Sequence, residues 1–169
     1  VFDAITELFR VSSAAEARLT AVEPVAGVVR ATFATPGGVV HMVIDVASRR
    51  IWGAEAEYGR DHVIDADAGL VARSIEIGGE MHGIADPASG RPFVATREQG
   101  KIPTIDRSTG AVTFADAGSD PYQIEVDGTQ LAVSDVGTDV VRAYRIPGMN
   151  PIAPVLARAR GRQMVVLSN

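Results

Sequence analysis

Short apolar runs closed by turn residues recur along the whole chain. Val39-Val40-His41-Met42-Val43-Ile44 stops at Asp45, Ile51-Trp52-Gly53-Ala54 stops at Glu55, and His62-Val63-Ile64 stops at Asp65. Each run is rich in Val and Ile and bounded by Gly, Asp, Ser or Pro, as strands in tight meanders are. The pattern predicts strands over about 40–45, 50–55, 61–65 and 70–77. The links carry turn chemistry: Asp86-Pro87-Ala88-Ser89-Gly90, Asp106-Arg107-Ser108-Thr109-Gly110 and Asp127-Gly128. In such links the Asp carboxylate accepts backbone N–H bonds at the turn entry, and Gly supplies a positive φ at its exit.

The runs form a repeat. Shifted by 41 positions, Gly38 to Gly69 lies without a gap on Gly79 to Gly110: His41 meets His82, Asp45 meets Asp86, Trp52 meets Phe93, Gly59 meets Gly100 and Asp65 meets Asp106. Shifted by 42, residues 1–27 lie on 43–69, so that Asp3 meets Asp45, Glu23 meets Asp65 and Gly27 meets Gly69. Residues 120–148 form a fourth, shortened copy with Tyr122 where the two histidines stood, and a fifth begins near Pro154. A repeat of about 40 residues built of short strands and Gly/Asp turns marks a four-stranded propeller blade. The expected fold is an all-β β-propeller array occupying the whole chain as one domain. Its repeats fall at about 1–38, 39–79, 80–118 and 119–150, with a partial one at 151–169.

The opening is ambiguous. Ile5, Leu8, Phe9, Ala15 and Leu19 have near-helical spacing, and Ser12-Ser13-Ala14-Ala15-Glu16-Ala17-Arg18-Leu19 is good helix-forming composition. The gapless match to residues 43–61 says strand and turn instead. The repeat is the stronger signal, because periodicity over a whole unit is harder to obtain by chance than one helical face.

Composition narrows the class. The 169 residues are 46% hydrophobic and 22% charged, as an ordered globular chain is. No apolar run approaches the roughly 18 residues of a membrane span, and no signal peptide is visible, although a chain beginning at Val1 is compatible with a removed leader. Without cysteine there is no disulfide, no thiolate metal site and no thiol nucleophile. The net charge of −5 argues against a nucleic-acid partner. G-x-S-x-G, Walker and H-E-x-x-H motifs are missing.

His82-Gly83-Ile84-Ala85-Asp86, Phe93-Val94-Ala95-Thr96, Ile105-Asp106-Arg107-Ser108-Thr109-Gly110, Leu131-Ala132-Val133-Ser134-Asp135 and Val166-Leu167-Ser168-Asn169 resemble the YVTN-type propeller repeat. The resemblance covers nearly the whole chain. It implies a seven-bladed ring in an extracytoplasmic protein, periplasmic, secreted or at the cell surface. Seven blades need about 280 residues, so the ring would be completed by further blades absent from this chain. A weaker resemblance is to streptogramin lyase, another seven-bladed propeller, which uses a His at the start of a first strand and glutamates that hold magnesium.

These patterns nominate four residues. His41 and His82 begin the first strands of neighbouring copies, and in this fold such positions surround the mouth of the central channel, together with Tyr122 and Val155. Imidazole acts as base or ligand near neutral pH, so His41 and His82 are the candidate catalytic residues; the alternative is a consensus His bonding a neighbouring blade. Glu55, in Ile51-Trp52-Gly53-Ala54-Glu55, and Glu80, two residues before His82, resemble the lyase's metal ligands, implying a divalent cation such as magnesium. Val39 and Thr96 stand where each copy would need a further Glu, so neither copy is complete. The acidic columns Asp3, Asp45, Asp86 and Asp127, and Glu23, Asp65 and Asp106, read as turn caps rather than a calcium ladder.

The resulting expectation is a binding or scaffold propeller that presents its channel mouth to a small ligand or protein partner. The alternative is a metal-assisted lyase or lactone hydrolase at the same mouth. A third reading, the propeller-bearing large subunit of an amine-dehydrogenase-like complex, rests on the architecture alone.

Overall fold

In the computed structural model, the structure describes residues 1–85, 91–146 and 148–156. The described residues form sixteen strands and no helix, in four antiparallel four-stranded sheets. The first sheet contains β1 (Phe2–Asp3), β2 (Leu8–Ser13), β3 (Arg18–Glu23) and β4 (Val28–Ala34). The second contains β5 (Val39–Asp45), β6 (Arg50–Glu55), β7 (Arg60–Asp65) and β8 (Val71–Glu76). The third contains β9 (Met81–Ala85), β10 (Phe93–Thr96), β11 (Lys101–Ile105) and β12 (Val112–Asp116). The fourth contains β13 (Pro121–Asp127), β14 (Gln130–Asp135), β15 (Val140–Arg145) and β16 (Asn150–Leu156). Within each sheet the strands follow sequence order, so every connection is a hairpin. The chain divides into two compact units, Val1–Glu76 and Ile77–Asn169, each holding two sheets.

The turns explain why the meander forms. Asp45 Oδ1 accepts the N–H groups of Ala47 and Ser48, Asp65 Oδ1 those of Asp67 and Ala68, and Asp106 Oδ1 those of Ser108 and Thr109. Glu23 does the same for Val25 and Ala26. The residue closing each turn is left-handed: Gly27, Gly59, Gly69, Gly100 and Gly110 have φ near +60° to +77°, and Glu7, Ala17, Arg49 and Asp139 adopt φ of 46° to 55° without being glycine. A left-handed exit followed by a new strand, repeated about every ten residues, produces consecutive hairpins.

Burial follows the repeat. In the first unit, Leu19 packs with Ile51, Ile64 and Ala66, flanked by Phe33, Met42, Ile44 and Val71. In the second, Phe93, Ile102, Ile124, Leu131, Val133 and Tyr144 share one core. Each side chain of this size contributes roughly 1.5–3 kcal/mol through burial. Trp52 and Phe93, equivalent in the repeat, are both buried.

Two expectations are resolved against one of their readings. Residues 4–18 hold no helix; Leu8–Ser13 is a strand paired with both β1 and β3. The helical spacing of Ile5, Leu8 and Phe9 is therefore incidental, since the tertiary pairing decides. The expected repeat boundary at 150/151 falls inside β16, which is the fourth strand of its sheet and pairs with β15. Val155, expected on a first strand, stands in β16 opposite Val141. Residues 120–148 reach only through the third strand, β15, so the sheet's fourth strand falls beyond the expected boundary even though the β13–β14 link is short, with Asp127 paired to Gln130 across Gly128-Thr129. Among the described residues no helix is long and apolar enough to cross a membrane. Asp86 and residues 157–169 of the expected fifth copy lie outside the described residues.

Candidate functional site

The second unit gathers a polar cluster where its two sheets begin. Gly83 makes the approach possible: a Cβ there would come within 2.9 Å of the Tyr122 carbonyl oxygen and 3.1 Å of the Ile124 nitrogen. With no side chain at 83, β9 packs against the backbone of β13. His82, one residue earlier, then stacks its ring on Tyr122, with centroids 4.6 Å apart and planes inclined by 27°.

Charged groups surround this pair. Glu80 Oε1 lies 2.6 Å from His82 Nε2, and Glu80 Oε2 lies 3.9 Å from the Arg97 guanidinium. Arg97 reaches the site because its N–H donates to the Glu80 carbonyl at 3.0 Å, closing the ladder between β9 and β10. Its guanidinium binds Asp120 in a fork, Nε to Oδ1 at 2.5 Å and Nη2 to Oδ2 at 3.0 Å, and sits 5.8 Å from the Tyr122 ring centroid. This pairing raises Arg97 above its ordinary value and holds the Asp120 carboxyl below the usual carboxylate range. Forked pairs of this kind fix orientation as well as charge. His82, Arg97 and Asp120 are half-buried, while 43% of the Glu80 side chain remains exposed. The arrangement is a preorganised polar patch with two carboxylates for one guanidinium.

Of the four nominated residues, Glu80 and His82 are brought together. His41 and Glu55 belong to the first unit and to one sheet, yet His41 pairs with Ala54 and Glu55 with Val39. Adjacent strand positions face opposite sides, so His41 and Glu55 lie on opposite faces of that sheet. Glu55 is buried, with Oε2 3.0 Å from His62 Nε2 and 3.2 Å from Arg60 Nε. A Cβ on Gly37 would fall 1.8 Å from Glu55 Oε1, so only glycine leaves room for the carboxylate. Among the described residues no group of three His, Asp or Glu side chains is placed to hold a metal ion.

Sequence reasoning missed Arg97, Asp120 and His62. Arg97 falls on Ala56 of the preceding copy, and Asp120 precedes Tyr122 by two positions as Glu80 precedes His82, but Arg97 and Asp120 meet across 23 positions, which no local pattern reveals. His62 was legible in principle: the alternation Arg60-Asp61-His62-Val63 places it on the same face of β7 as Arg60, opposite Glu55.

The chain matches no protein-family model and, by sequence, none of the curated proteins. Solved structures do resemble it. A hydrazine synthase chain of Kuenenia stuttgartiensis superposes with a TM-score of 0.79 at 17% identity, over 87% of this chain and 45% of that one. The U3-55K structure gives 0.79 at 8% identity, over 90% and 49%, and the WD40 repeats of RRP9 give 0.78 at 8% identity, over 90% and 48%. The chain thus spans about half the length of each of these three structures. At such identities the likeness establishes fold alone, and that fold is the β-propeller, with the four sheets as its blades.

Proposed function

We propose that the chain is a propeller binding module whose contact surface includes Glu80, His82, Arg97, Asp120 and Tyr122, and that the partner presents a basic side chain there. The observation that carries this reading is the half-exposed Glu80 carboxylate in a patch where two carboxylates face one guanidinium. The patch is held in place by its own hydrogen bonds and ring stacking, so little ordering is needed on binding. The chain's net charge of −5 favours a basic partner in the same sense. The resemblance to YVTN-type repeats supports a binding role at an extracytoplasmic location. The test is titration of the chain with a lysine- and arginine-containing peptide and with an acidic peptide of equal length. Binding of the basic peptide that weakens at least 10-fold in Glu80→Gln supports the proposal; equal binding of both peptides, or of neither, refutes it.

The 2.6 Å contact between Glu80 and His82 favours a second reading, proton transfer by His82 in a lyase or lactone hydrolase. That reading requires turnover of a lactone or lyase substrate that His82→Ala abolishes.

A further inference from the structure

The first unit holds a serine, a histidine and a carboxylate in line across three strands. Ser74 stands on β8 directly opposite His62 on β7, and Glu55 ends the next strand inward, opposite Arg60. Ser74 Oγ lies 2.9 Å from His62 Nδ1, and His62 Nε2 lies 3.0 Å from Glu55 Oε2. His62 has no exposed surface and Glu55 only 1%, whereas Ser74 is exposed. A buried base is therefore connected to the surface through one hydroxyl.

The protonation pattern follows from the partners. A carboxylate beside Arg60 only accepts hydrogen bonds, so the Glu55 contact places the imidazole proton on Nε2 and leaves the Nδ1 lone pair towards Ser74. The serine hydroxyl then donates to Nδ1. A nucleophile bonded to a base that a third group orients is the arrangement that activates serine. The local backbone helps. Pairing of β7 with β8 passes from Val63–Arg73 to Ile64–Val71, leaving Ala72 as a bulge two residues from Ser74. In its sheet β8 is hydrogen-bonded only to β7, so its other edge presents unpaired N–H groups.

We infer that Ser74 is an acyl-accepting serine, with His62 as its general base and Glu55 as the residue positioning that base. The substrate class is an activated acyl donor whose leaving group departs as a stable anion, such as an aryl ester, thioester or acyl phosphate. Oγ forms a bond to the acyl carbon as its proton passes to Nδ1, and the bond from that carbon to the leaving group then breaks. The leaving group carries away the electron pair as the anion. Because Nδ1 is buried behind Oγ, the proton does not reach the leaving group and stays on Nδ1, as an imidazolium paired with the Glu55 carboxylate. The product is an O-acyl serine, formed without any redox partner.

The chain suits the experiment, because it has no cysteine and Lys101 is its only lysine. The purified chain is incubated with p-nitrophenyl acetate, nitrophenolate release is followed, and the acetylated residue is mapped by mass spectrometry. One equivalent of rapid release with acetyl on Ser74 is expected. Ser74→Ala, a change at an exposed position, should abolish that phase, and His62→Gln should slow it at least 10-fold. Glu55→Gln should shift the pH profile of acetylation as well as its rate, which a purely structural role would not do. Acetylation confined to Lys101 and the N-terminus, or an unchanged fast phase in Ser74→Ala, overturns the inference. His62 and Glu55 are buried, so folding of their variants is checked by circular dichroism; if either unfolds, the Ser74→Ala result decides alone. Failure here leaves the proposed binding surface untouched, since that surface lies in the other unit.

Discussion

The rings of His82 and Tyr122 stack at 4.6 Å although they stand on the first strands of successive sheets, 40 positions apart in the chain. The repeat predicts this equivalence, because Tyr122 occupies the histidine position of its own copy. Ring pairs of this kind contribute about 0.5–1.5 kcal/mol beyond their burial. Tyr122→Leu should therefore lower stability by about 1 kcal/mol, and Tyr122→Phe by much less. Chemical denaturation of the two variants checks the difference.

Ala17 closes a hairpin turn at φ 46°, in the slot that Gly27, Gly59 and Gly69 fill elsewhere. A left-handed backbone costs a residue with a Cβ roughly 1 kcal/mol. Ala17→Gly should raise stability by about 0.5–1 kcal/mol, read as a higher denaturation midpoint. The gain is partly offset by glycine's greater freedom in the unfolded chain.

Asp61 is fully buried on β7, and burial pushes its carboxyl up to about 8. In the unfolded chain the group loses its proton near pH 4. Between about pH 4 and 8 the folded state holds the extra proton, so stability falls as pH rises across that window. Asp61→Asn should flatten this dependence and stabilise the protein at neutral pH, as thermal melts at pH 4.5 and 7.5 would show.

Asp3 acts in the opposite sense. Its buried carboxylate takes a fork from Arg49 at 2.7 and 2.8 Å and a further bond from Arg10 at 3.2 Å, joining the first two sheets. The Arg49 hydrogen bonds, resisted by burial, hold Asp3 well below the usual carboxylate range. A depressed folded value gives stability that is present above about pH 4 and lost as pH falls below it. Arg49→Leu should cost roughly 1.5–3 kcal/mol by removing the fork of charged hydrogen bonds and leaving Arg10 as the remaining guanidinium on Asp3. Its effect should shrink in melts below pH 3.

The architecture was legible because it is written locally. The Asp and Gly columns, such as Asp65 with Gly69 and Asp106 with Gly110, specify each turn, and the apolar runs between them specify each strand. The expected strands at 40–45 and 50–55 became Val39–Asp45 and Arg50–Glu55. The final boundary was misplaced because the fourth strand, Asn150–Leu156, carries Pro151 and Pro154, which break the apolar pattern of a strand. The site was only half legible. Glu80 and His82 are two residues apart and meet across that short gap. Arg97 with Asp120, and Glu55 with His62, meet through strand register and sheet packing, which apolar periodicity does not encode.

The most direct measurement of the binding account is a ¹⁵N–¹H titration of the chain with the basic peptide. The account predicts shift changes concentrated on Glu80, His82, Arg97 and Tyr122, which Glu80→Gln suppresses while the rest of the spectrum stays folded. Perturbations that fall elsewhere, or that the acidic peptide reproduces, would contradict it.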